Sequence, residues 1–114
     1  MIEIINDEDP VLWGQTNFYQ KNFDVSIKRD NQEEDLLIKL FYTSELEDDG
    51  TEAYYFSDFK IINLKKKHQV YDSSKLEDLV SGCAYVLSME ITQEEGDEID
   101  KVIEEFIEEN EIQI

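Results

Sequence analysis

Phe23-Asp24-Val25-Ser26-Ile27-Lys28, followed after a polar turn by Leu36-Leu37-Ile38-Lys39-Leu40-Phe41-Tyr42, is the stretch on which the fold turns. In the first run apolar and polar residues alternate with period two, the mark of a strand with one buried face. The second run is apolar at every position but Lys39, as in a central strand covered on both faces. The connector Arg29-Asp-Asn-Gln-Glu-Glu-Asp35 is short and polar, so the two strands are expected to pair antiparallel.

Outward from this hairpin the pattern continues. Glu45-Leu-Glu-Asp-Asp-Gly50 reads as a second turn, with Gly50 available for positive φ. Ala53 to Leu64 resumes strand character, but its alternation slips: Tyr54 and Phe56 fall in one phase, Phe59 and Ile61 in the other. A β-bulge near Ser57-Asp58 accounts for the slip. Met1 to Ile5 suits a short edge strand, Trp13 a lid over the core, and Glu111-Ile-Gln-Ile114 a short terminal strand.

Two helices are expected after the strands. Ser74 with Glu77 makes a capping box, and Leu76, Leu79, Val80, Cys83 and Leu87 share one face, predicting a helix over 74–90. Gly82, unfavourable in a helix interior, implies close approach to the sheet. A second helix is expected from near Asp97, with the stripe Ile99, Val102, Ile103, Phe106 and Ile107. Its last turn holds Glu108 and Glu109, the wrong charge for a helix C-terminus. The predicted fold class is α+β: an antiparallel β-meander of three to five strands followed by two α-helices packed on the sheet. One domain over residues 1–114 is expected.

The charge balance narrows function. Twenty-nine acidic residues against ten basic ones give a net charge of −19. Such a chain is repelled by phosphate backbones and anionic membrane surfaces, so direct nucleic-acid or membrane binding is not expected. The same field speeds encounter with a basic protein. Acidity also serves solubility alone, which is the plainer reading. A single cysteine, a start without a signal-peptide pattern and no long apolar run point to a soluble cytoplasmic protein.

Chemistry is sparse. His68 and Cys83 are a lone pair of candidate groups, and Cys83 falls on the apolar stripe, where it reads as a buried, inert hydrophobe. Glu45-x-Glu47-x-Asp49-Gly50 opens like a calcium loop, but loop position 12, where a bidentate Glu belongs, is Phe56. Zinc wants more Cys and His than two residues supply. The four glycines are scattered, so no phosphate loop exists, and Lys65-Lys66-Lys67-His68 reads as a turn. No cofactor, metal or enzymatic activity is expected.

The run Val70-Tyr-Asp-Ser-Ser74-Lys-Leu-Glu77-Asp-Leu79-Val-Ser-Gly82-Cys83 resembles a strand–cap–helix signature of short bacterial proteins, some acting as immunity proteins beside toxin genes. It departs at Ser74, where the signature has an acid, and at Asp78, where it has a small residue. The resemblance implies an immunity protein, and the charge makes its expected target a cationic, nuclease-type toxin domain, neutralised by covering its substrate-binding surface. Candidate partner-binding residues are Glu45, Glu47, Asp48 and Asp49 in the turn, with Asp97, Glu104, Glu105 and Glu108 on the last helix. The alternatives are a DNA mimic that blocks a nucleic-acid-processing protein and an adaptor whose acidity only solubilises it.

Overall fold

The structure is a computed structural model that describes residues 2–4, 8–31, 33–64, 68–73 and 92–113, the strand at 68–73 through its backbone alone. Its frame is three long strands: β3 (Phe18–Lys28), β4 (Glu33–Leu46) and β5 (Glu52–Asn63). They are bordered by β1 (Ile2–Ile4) and β2 (Val11–Leu12), both antiparallel to β3, and by β6 (His68–Ser73), antiparallel to β5. Helix α1 (Gln93–Glu109) follows, and β7 (Ile112–Gln113) ends the chain in parallel with β5. The seven-stranded sheet curls into a half-barrel, elongated to 54 × 25 × 21 Å by the length of β4.

The core lies between α1 and the inner face of this sheet. Register opposes Phe23 to Ile38, Val25 to Leu36, and Ile38 and Leu40 to Ile61 and Phe59, and all are buried. From the helix Ile99, Ile103 and Ile107 close the cluster, and Phe106 meets Phe23 edge-on at 5.7 Å. The irregularity in β5 is where the alternation placed it: Asp58 opposes Phe41 and Phe56 opposes Tyr42, which leaves Ser57 as the extra residue. The bulge returns Tyr54 and Phe56 to the face of Phe59 and Ile61, joining two apolar runs that otherwise point apart.

Several expectations need correction. The fold is not a three-to-five-stranded meander carrying two helices. It is a curled seven-stranded sheet, and the described residues form one helix. β1 and β7 lie where short strands were expected, β2 was not expected, and β7 pairs in parallel with β5 because the helix delivers it there. The expected helix over 74–90, with Gly82 and Cys83, and the run Lys65–Lys67 lie outside the described residues. Helix α1 starts at Gln93, earlier than Asp97. Thr92 is its N-cap and exchanges capping-box bonds with Glu95, whose carboxylate accepts from the Thr92 amide at 2.7 Å. The signal, Thr92-x-x-Glu95, is a plain capping box. Leu37, Lys39 and Phe41 are only half-buried, so β4 is not covered equally on both faces. Trp13 is no core lid: it is 51% exposed and rests edge-on against Phe41 at 5.8 Å on the outer face.

Candidate functional site

The long axis separates two ends of different chemistry. At the lower end, the β3–β4 turn meets the start of α1. Arg29 donates to both carboxylate oxygens of Glu95, at 3.2 and 2.5 Å, tying turn to helix. Burial favours the protonated form of Glu95, but bonds from Arg29 and Thr92 together with the Arg29 charge outweigh it and lower its pKa. Nearby, buried Glu34 accepts from the amide of buried Asn63 at 3.1 Å, and Glu33 accepts from Ser26.

At the upper end, the β4–β5 hairpin stands beside the C-terminus of α1. The parallel register places Ile112 against Tyr54 and Gln113 against Tyr55, so Glu111 comes alongside the strand that begins at Glu52. The turn is held by its own bonds: Gly50 donates to the Glu47 carbonyl, Glu47 to the Thr51 carbonyl, and Thr51 gives both its amide and its hydroxyl to Asp49. Those two Thr51 bonds hold the Asp49 carboxyl below its ordinary pKa. Tyr55 donates to Glu47 at 2.5 Å, and this bond, with partial burial and the charges of Glu47 and Glu45, raises the phenol's pKa.

The eight residues singled out from the sequence divide. Glu45, Asp48 and Asp49 are exposed at the hairpin tip, with Glu47 half-buried beneath Tyr55. Glu104, Glu105 and Glu108 are exposed on α1 toward the same end. Asp97 is exposed too, but eleven residues before Glu108, about 16 Å down the axis. The structure thus brings the hairpin acids to the helix C-terminus and leaves Asp97 apart. It adds residues not named as candidates from the sequence: Glu52 and Glu111, with Glu109 noted there only for its charge at the helix end, which extend the acidic surface, and Leu46, 79% exposed among the acids. Leu46 was legible, being an apolar residue inside an otherwise polar turn. No Lys or Arg occurs between Glu45 and Asp58 or between Val102 and Gln113.

A second layer lies behind the acids. On the inner face Leu12 opposes Tyr19, Tyr19 opposes Tyr42, and Tyr54 opposes Ser44, two residues further along β4. Tyr19 stacks on Tyr42 with centroids 5.1 Å apart, and Tyr54 meets both edge-on at 5.9 and 5.8 Å. Burial, with Tyr19 and Tyr54 beside it, pushes the Tyr42 phenol up to about 12. Beneath them the buried Lys21 ammonium donates to the Glu8 carbonyl and sits 5.5 and 5.7 Å from the rings of Phe23 and Phe106.

Among the described residues no cluster of His, Cys, Asp and Glu is placed to hold a metal ion, and no helix is long and apolar enough to cross a membrane. Compared with known protein families, with curated proteins and with solved structures, the chain matches none.

Proposed function

We propose that this protein is a non-enzymatic binding protein whose acidic upper end docks a basic protein partner. In its most concrete form it is a bacterial, cytoplasmic immunity protein. It covers the phosphate-binding surface of a cationic, nuclease-type toxin domain. One observation carries the proposal: the parallel pairing of β7 with β5 sets a helix C-terminus rich in glutamate beside an acidic hairpin. Both choices oppose folding preference. Carboxylates in a last turn face the negative end of the helix dipole, and like charges gathered on one surface repel. A nuclease surface is positive because it holds phosphates, so an acidic inhibitor competes for the same electrostatics.

A DNA mimic needs carboxylates in two rows at phosphate-like spacing. The helix offers one row, Asp97, Glu104 and Glu108, interrupted by Lys101, and the hairpin offers a cluster. That arrangement supports mimicry less well than docking on a compact basic site.

The test is association with a cationic nuclease-type toxin domain used as the probe. Between about 50 and 500 mM salt the Debye length falls from roughly 14 to 4 Å, so the association rate is expected to drop steeply. The triple variant E104K/E105K/E108K should slow association further while the fold persists. Unchanged binding by that variant, or a rate indifferent to salt, would refute the proposal.

A further inference from the structure

The inner-face row Leu12, Tyr19, Tyr42 and Tyr54 lies where the half-barrel opens toward the hairpin, and its composition differs from the core below. Deeper apolar positions on this face are aliphatic or phenylalanine, Phe23, Ile38, Leu40 and Phe59, and the buried polar Lys21, Glu34 and Asn63 share it. The mouth instead carries three tyrosines. A tyrosine in a closed core must find an acceptor for its hydroxyl, whereas at a rim its ring packs and its hydroxyl meets water. Tyr19 and Tyr54 are half-exposed around buried Tyr42. Tyr42 covers one side of Tyr19. Leu12, on the strand beyond, stands at the other and is 43% exposed. Leu46, two positions past Ser44 on the same face, is 79% exposed. Glu52 opposes Leu46, and burial together with the Glu52 charge raises the Tyr54 pKa.

An acid-rimmed aromatic ledge has a defined complement. A guanidinium is planar, stacks on a tyrosine face and is weakly hydrated, and it pairs with carboxylates through a fork of donors. An ammonium is compact and strongly hydrated, so it gains less from the same surface. Exposed leucines on both sides of the tyrosines add an apolar contact that a purely polar cation does not use. We infer that the mouth of the half-barrel, with Tyr19 and Tyr54 at its centre and Leu12, Leu46 and Glu52 at its rim, accepts an arginine flanked by apolar side chains on a basic partner. This inference rests on the reading of the upper end as a docking surface and names what that surface recognises.

Two nonapeptides of equal charge test it, one alternating Arg with Leu and the other Lys with Leu, each titrated into the full chain at 50 mM salt. The arginine peptide is expected to bind about fivefold tighter, the scale of one cation–π contact at a partly exposed site. Tyr19→Ala and Tyr54→Ala should erase that preference and leave the lysine peptide nearly unaffected. Leu46→Ser, at a position too exposed to disturb the fold, should weaken both peptides by about threefold through lost apolar contact. Equal affinity of the two peptides, or a preference that survives Tyr19→Ala in a folded variant, overturns the inference and leaves the proposed docking function standing. Leu46→Ser without effect on either peptide removes the apolar rim from the site and overturns the inference as stated. Absence of binding by both peptides overturns the docking function itself, and the inference with it.

Discussion

Glu95 at the lower end and Glu108 at the upper end sit on the same helix and meet opposite treatment. Glu95 closes the capping box with Thr92, faces the positive end of the helix dipole and takes a bidentate bond from Arg29. Glu108 stands in a last turn without a base, next to Glu109 and shortly before Glu111, which adopts a left-handed φ of 53°. Glycine is the residue that such a position favours. The lower end follows the rules that stabilise a helix, and the upper end departs from them three times within four residues. A chain under selection for stability alone has no reason to keep such a contrast along one element. The contrast separates a helix end built on capping and ion pairing from one whose charges oppose the dipole.

The largest effect should come from breaking the lower end. Loss of one partner from a fully buried ion pair costs roughly 3–5 kcal/mol, and Arg29–Glu95, with side chains 27% and 14% exposed, falls below that, at about 2 kcal/mol. Arg29→Ala should therefore lower the midpoint of urea unfolding clearly. The pH dependence follows from the lowered pKa of Glu95. Its contribution is present above the unfolded carboxyl value and disappears as pH falls through the folded one. Acid unfolding of Arg29→Ala should begin from a lower plateau and fall less steeply. A variant as stable as the parent would erase the distinction between the two ends.

A smaller effect belongs to the tyrosine row between them. Tyr42 has its pKa raised to about 12 by burial, against roughly 10 when unfolded. A raised value contributes stability that is complete below pH 10 and is lost as pH climbs toward 12. Tyr42→Phe removes the titrating group and keeps the ring, so its alkaline unfolding should be shallower than the parent's. Tyr54 and Tyr55, both raised as well, keep it from being flat.

The smallest effects, and the ones of opposite sign, are expected at the upper end. Glu108→Lys replaces an anion with a cation at the negative end of the dipole, and should raise stability by about 0.3–1 kcal/mol at low salt. Glu111→Gly relieves a left-handed backbone that disfavours side chains and should act in the same direction. Thermal unfolding at low and high salt distinguishes the two: the gain from the charge reversal is screened, whereas Glu111→Gly keeps at high salt the part that comes from backbone relief. Destabilisation by both would mean that the acids serve the fold, and would remove the contrast on which the functional proposal stands.

Much of this was legible in the chain. The strands were readable where they are long enough to repeat: Phe23, Val25 and Ile27 showed their buried face, and the slip between Phe56 and Phe59 disclosed the bulge. The acids of the hairpin tip and of α1 were visible as candidates because they are dense, with Lys101 the one base among them. Thr92 was missed although Glu95 stands three residues on, because the acid-rich stretch around Asp97 drew the helix start to itself. The exposure of Trp13 was not readable, since an isolated aromatic in a connecting segment packs inward or outward according to which strand it lands beside.

Composition and periodicity by themselves determined the charge, the long strands, the bulge and the apolar stripe of α1, because each is a local pattern that repeats within one element. Tertiary structure decided the rest. The alternation of Glu111 to Ile114 suggests a strand but not its partner, and β7 meets β5 because α1 and the turn through Glu111 carry Ile112 to Tyr54. The same pairing puts Glu108, Glu109 and Glu111 beside the Glu45–Asp49 hairpin, and strand register lines up Tyr19, Tyr42 and Tyr54 from three different strands. Those neighbours are 12 to 66 residues apart in sequence. No local preference encodes such proximity, because it is set by how an entire sheet curls around one helix.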